Sequence, residues 1–301
     1  MHTHTHTHHH HHHHHYQAVT ARTVKMLWIS FGVNMLLTVV ELMSGIFAGS
    51  MALVGDALHN CSDAFSILIA IVAYKIGAKK ATEKFSYGFK RAETIGGFVN
   101  LILLFVAGTY LVFEGVGKVI IPENINGPLI VFVSILALVV DALTAKISHA
   151  HAHHNMNMKM LFVHNLADAL GSIGVIVSGL CVIYLGWTFV DGLIAVIIGL
   201  YMVAQSLLTF PKVVKILMNS APDDLDLAEV KEVLKKITGV SDIHHMHVWH
   251  IDETQVALDC HVVACGLEVL EPIQQALEHH FQITHTNIQI ERVCCDKPCQ
   301  L

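Results

Sequence analysis

Two stretches of this 301-residue chain set an imidazole and a carboxylate four positions apart in apolar surroundings: His59-Asn-Cys-Ser-Asp63 and His164-Asn-Leu-Ala-Asp168. In an α-helix, positions i and i+4 share a face, so each stretch would aim one imidazole and one carboxylate in a common direction. Two such faces turned toward each other offer two nitrogens and at least two oxygens, a donor set suited to tetrahedral zinc. One isolated pair would read equally well as hydrogen-bonding glue between helices. The recurrence of His-Asn-x-x-Asp-Ala at 59–64 and again at 164–169 points to a metal site.

Holding such faces together requires long helices, and the composition supplies them. Apolar residues make up 53% of the chain, charged residues 14%, and the mean hydropathy is +0.56. Those values exclude a disordered chain, argue against an ordinary soluble enzyme and indicate a membrane protein. Six apolar runs, near 24–47, 51–76, 92–115, 128–148, 160–184 and 189–208, are long enough to cross a bilayer, which takes about 20 residues. Glu41, Asp56, Asp63, Asp141 and Asp168 fall inside these runs, with no Lys or Arg deep in any of them. A charge at mid-bilayer costs about 2.5–3.5 kcal/mol even on the most lenient scale. The balancing charge must therefore be protons or a bound cation, and binding a metal itself requires deprotonated ligands.

Basic residues fix the expected orientation. Lys75, Lys79, Lys80, Lys84, Lys90 and Arg91 lie on the same side as Arg22, Lys25, Lys146, Lys159, Lys212 and Lys215, which predicts that both termini are cytoplasmic. Residues 1–22 form a His-rich arm, 23–211 the membrane domain and 212–301 a soluble domain carrying a net charge of −7. An acidic soluble part argues against a nucleic-acid partner and favours cations. Its pattern reads αββαβ: a helix over Asp226–Thr238, strands over Val240–Ile251 and Gln255–Ala264, a helix over Val269–Phe281 and a strand over Asn287–Val293. About 90 residues can form such a small α+β layer. Regular strand alternation would put His245 and His247 on one face and His244 and His250 on the other.

The two His-x-x-x-Asp motifs resemble those of the cation diffusion facilitator family. So does Phe85-Ser-Tyr-Gly-Phe-Lys-Arg-Ala-Glu-Thr-Ile-Gly-Gly-Phe-Val-Asn100, which looks like the signature of the bacterial cobalt–zinc–cadmium efflux type. The resemblance runs over nearly the whole chain from about residue 20. It implies an α-helical membrane protein of six transmembrane helices with a ferredoxin-like cytoplasmic domain. It also implies homodimers in a bilayer and efflux of divalent cations, zinc foremost, in exchange for protons. It makes His59, Asp63, His164 and Asp168 the transport site. Phe85 and Phe89 stand where some members carry metal ligands, so no metal site is expected in that loop. Zinc is expected as substrate and regulatory ligand, with no resident cofactor, and the compact chain suits a bacterial inner membrane.

Further residues surround this reading. Asp56, one turn before His59, is expected to orient a ligand or to face water at a helix end; Asp141 is expected to bond between helices or to relay protons. The resemblance places soluble-domain ligands near His244, His261 and Glu291, and Cys294, Cys295 and Cys299 could add thiolates. His149, His151, His153 and His154 form a His-rich loop suited to metal capture. Eleven of the 25 histidines precede residue 16, reading either as a purification tag or as a native metal collector. A membrane-anchored zinc sensor or buffer is the alternative function. An enzyme is not expected, since neither His-Glu-x-x-His nor Gly-x-Ser-x-Gly occurs.

Overall fold

The computed structural model describes residues 21–77, 79–152, 156–252 and 254–292, and leaves the side chains of 21–27, 74 and 144–165 outside that description. Six long helices come first: α1 (Ala21–Ala48), α2 (Met51–Gly77), α3 (Ala92–Ile120), α4 (Gly127–Ala152), α5 (Met156–Leu185) and α6 (Phe189–Leu217). Among the described residues five of them offer an apolar stretch of membrane-crossing length, and α4 offers a shorter one over Gly127–Leu143. Their outward faces carry large apolar side chains such as Phe47, Phe113, Phe132 and Leu208, which only a nonaqueous surrounding would tolerate in such number.

Inside the bundle, packing relies on small residues. A Cβ on Gly108 would come within 2.8 Å of the Gly199 carbonyl oxygen, and one on Gly199 within 2.7 Å of the Gly108 oxygen. One turn pair away, Gly115 and Gly192 stand in the same reciprocal relation, at 2.8 and 2.6 Å. The backbones of α3 and α6 thus touch at two heights, the close approach by which helices associate when burial in lipid supplies no hydrophobic drive.

Asp191 fastens the other end of α2. It sits in the first turn of α6, where it would be expected to serve its own helix, yet it is fully buried against α2. Its carboxylate accepts from the backbone N–H groups of Met51 and Ala52, at 2.7 and 3.3 Å, and from the hydroxyl of Ser50. Those amides are among the unsatisfied donors at a helix start, and the positive end of the helix dipole favours an anion there. Pro211 does not end α6: the helix continues through it to Leu217, so the expected boundary at 211/212 lies within a helix. Proline removes one backbone donor but leaves the rest of the ladder able to carry the helix onward.

The C-terminal domain contains α7 (Leu227–Lys235), β1 (Val240–His250), β2 (Val256–Ala264), a short 3₁₀ turn, α8 (Leu270–Phe281) and β3 (His285–Glu291). The αββαβ order matches the sequence expectation, with β3 beginning and ending two residues earlier. The strands line up β1-β2-β3, antiparallel and then parallel, with α8 as the crossover. One sheet face packs Ile243, Val248, Leu258 and Val262 against Val230 and Leu234 of α7 and Ile273 and Leu277 of α8. Cys260 joins this core, and burial pushes its thiol up to about 12, so it stays protonated at neutral pH.

Candidate metal centres

The helical spacing read from the sequence does in the structure what geometry requires. His59 and Asp63 lie one turn apart on α2, with imidazole Nε2 3.8 Å from an Asp63 oxygen. Asp168 reaches across from α5 to within 3.1 Å of the same nitrogen. Each residue brings one ligand atom to within 4.8 Å of the other two. Two donors on one tetrahedral zinc stand about 3.3 Å apart, given bonds of about 2.0–2.1 Å, so the two contacts made by His59 lie close to a coordination spacing. The fourth expected member, His164, lies on α5 but its side chain falls outside the described residues.

His59 is buried, and Tyr201 of α6 sets its ring edge-on at 5.6 Å. Asp63 is more open, its side chain 25% exposed. The contact between imidazole and Asp168 is a hydrogen bond whenever His59 carries a proton on Nε2. A metal taking that nitrogen must displace the proton, so proton and cation compete for one position.

A network of polar groups surrounds the cluster. Ser172 lies between Asp56 and Asp141, at 3.2 and 3.0 Å, tying α2, α4 and α5 together. Asp141 thus bonds between helices, one of the two roles expected for it, and Asp56 is buried rather than facing water. Asn60 donates to buried Glu41 at 2.9 Å, joining α2 to α1. Asn100 donates to Ser62 and Ser66, joining α3 to α2. Asn60, Ser172 and Asp191 were not singled out from the sequence. The only local signal was their polarity inside apolar runs, since each finds its partner on another helix.

A second cluster forms on the exposed face of the C-terminal sheet. Glu291 of β3 takes His244 Nε2 at 3.2 Å and His261 Nδ1 at 2.9 Å. These three ligand atoms also gather within 4.8 Å. His244 and His261 are direct cross-strand partners. The expected separation of His244 from His247 by strand alternation does not occur. The register shifts between His244 and His247, so that three residues of β1 span two of β2. His245 absorbs the extra length with φ of +50°, in the left-handed region. This β-bulge carries His244, His245 and His247 to the same side of the sheet as His261.

The loop between α2 and α3 meets this domain directly. Arg91 donates to the Asn219 side chain and to the backbone oxygen of His250 at 3.1 Å, and Lys90 donates to Gln255. Phe85 and Phe89 pack ring to ring at 4.6 Å. Together with Tyr87, Trp249 and Ile251 they line a cleft of 620 Å³. Cys294, Cys295, Cys299, His153, His154 and the N-terminal histidines lie outside the described residues, as do the side chains of His149 and His151.

Comparison with known proteins agrees with this organisation. Residues 27–218 match the cation efflux transmembrane domain, and residues 222–293 match the cation efflux protein cytoplasmic domain. The metal cation efflux system protein CzcD of Cupriavidus metallidurans is 30% identical over 264 residues, covering 86% of this chain and 84% of that protein. The zinc transporter ZitB of Shigella flexneri is 30% identical over 279 residues, covering 90% and 89%. A cadmium, cobalt and zinc/H(+)-K(+) antiporter of Bacillus subtilis is 29% identical over 275 residues, covering 89% and 88%. Among solved structures, the metal-bound C-terminal domain of CzcD is 36% identical, covering 22% of this chain and 99% of that one, at a TM-score of 0.22.

Proposed function

The chain belongs to the cation diffusion facilitator (cation efflux) family of membrane transporters, and from that premise we propose that it exports zinc in exchange for protons through His59, Asp63, His164 and Asp168. One observation carries this reading: an imidazole and two carboxylates from α2 and α5 converge within 4.8 Å inside an apolar bundle. Zinc enters from the cytoplasm between α2 and α5, on the side where Asp63 is open. It takes His59 Nε2 and the carboxylate oxygens, and their protons leave. The bundle then turns the site to the opposite side, where incoming protons reclaim the same atoms and weaken the hold on zinc. Cadmium and cobalt, named in the antiporter relative, suit the same imidazole and carboxylate donors.

The bilayer is the inner membrane of a bacterium, with six spans and both termini cytoplasmic. The C-terminal domain, ferredoxin-like in its αββαβ order, pairs with that of a second copy to form a homodimer. His244, His261 and Glu291 hold a regulatory zinc there, which the Cys294–Cys299 tail could cap. Metal at this position favours the cytoplasm-open state of the membrane domain.

The test is zinc flux into proteoliposomes under an imposed pH gradient, with Asp168→Ala alongside. Flux that follows the gradient and disappears in the variant is expected. Zinc bound by both proteins with no flux in either would replace the transporter by a membrane-anchored sensor or buffer.

A further inference from the structure

We propose that His245 and His247 chelate a second divalent cation on the C-terminal sheet, beside the His244–His261–Glu291 cluster and distinct from it. The Nε2 atoms of His245 and His247 stand 3.2 Å apart. Two imidazole nitrogens bound to one tetrahedral zinc stand about 3.3 Å apart, given bonds of about 2.0–2.1 Å. The two rings meet nearly at right angles with centroids 4.5 Å apart, edge to face rather than stacked. Both residues are half-buried: held by their surroundings, yet within reach of an ion from water.

The backbone holds this geometry at a cost. His245 adopts a left-handed conformation that residues other than glycine seldom take. The bulge at this point sets both rings on the side of the sheet where His244 and His261 lie. Bulges re-aim side chains in this way, and local strain tends to collect where a site needs it. Asp259 lies directly across from His247 in the strand register, its carboxylate accepting from the Asn287 side chain at 3.4 Å. The His245 ring also sits 4.7 Å from that of His261. The second ion would therefore be a near neighbour of the first. Borderline-soft divalent cations such as zinc and cobalt are the class that accepts this donor set.

Zinc alone is the probe. The full chain in detergent is dialysed to equilibrium against zinc, and bound metal is counted per protomer. The variant pairs His245→Asn, because asparagine tolerates the left-handed conformation, with His247→Gln. The expected result is one zinc ion fewer than in the parent chain, and a further ion lost when Glu291→Gln is added. An unchanged count would overturn the proposal and leave the pair as an N–H···N hydrogen bond. A count that falls no further when Glu291→Gln is added would also overturn it, by merging all five residues into one site. His247→Gln alone, away from the strained position, must reproduce the loss if the double variant fails to fold.

Discussion

The membrane cluster and the sheet cluster use nearly the same atoms, imidazole nitrogens and carboxylate oxygens gathered within 4.8 Å, yet they are built by opposite means. His59 and Asp63 are neighbours by helical pitch, and only Asp168 must be brought from elsewhere. His244, His261 and Glu291 come from three strands and meet through long-range register. The first cluster lies in an apolar bundle with no Lys or Arg deep in its helices, so under the proposed function its occupancy by a metal is tied to protons. The second lies on the sheet face opposite the apolar core of the C-terminal domain, its side chains partly buried. Under that reading nearly equal donor sets serve exchange in one place and binding in the other. Surroundings, not ligands, make the difference.

The sharpest way to break this contrast is Asp168→Ala. Zinc flux should fall to background, while zinc held by the C-terminal domain is unchanged; measuring both in one preparation separates the two regions. Next in size is Gly115→Leu, which forces a side chain against the Gly192 carbonyl. Overpacking of this kind costs about 1–3 kcal/mol or more. Thermal unfolding of the helical bundle should move down, with the sheet cluster still binding zinc. Asp191→Ala removes the anion at the start of α2 and should cost the membrane domain about 1–2 kcal/mol, read from the same melting curve.

Smaller effects sharpen the other side of the comparison. His261→Ala should shift the zinc concentration at which transport accelerates without stopping it; complete loss in folded protein would unseat the regulatory reading. Lys235 hydrogen-bonds Asp242 at 2.7 Å and holds its carboxyl below the usual carboxylate range. A lowered carboxylate stabilises the fold above its ordinary titration range and loses that contribution as pH falls through the lowered one. Because the pair is over a third exposed, Lys235→Met should cost under about 1 kcal/mol at neutral pH, and the difference should fade below about pH 4. Urea unfolding at two pH values checks it.

What could be read from the sequence follows the same division. The His59–Asp63 pair and the long helices were legible because helix period and apolar length are local properties. So were the αββαβ order and the apolar face of α7. The bulge was not, since nothing in Ile243-His244-His245-Met246-His247 marks where one residue will be squeezed out of pairing. That choice depends on β2, and it moved His244 to a face where alternation did not put it. Asp191 was not singled out from the sequence, and its capping of α2 emerges only from tertiary packing. The boundary at 211/212 was set at Pro211, just past the last apolar run, but the helix continues through it with one backbone bond missing.

The bulge has one further consequence, for solubility. Among the described residues β1 is an edge strand of eleven residues, paired only with β2. A long, straight edge offers a row of unpaired amides and carbonyls on which another chain can template. By kinking β1 midway, the extra residue breaks that row into two short lengths and twists them out of line. Deleting Met246 would straighten the strand, and the expected product is a protein prone to associate edge to edge through its C-terminal domain.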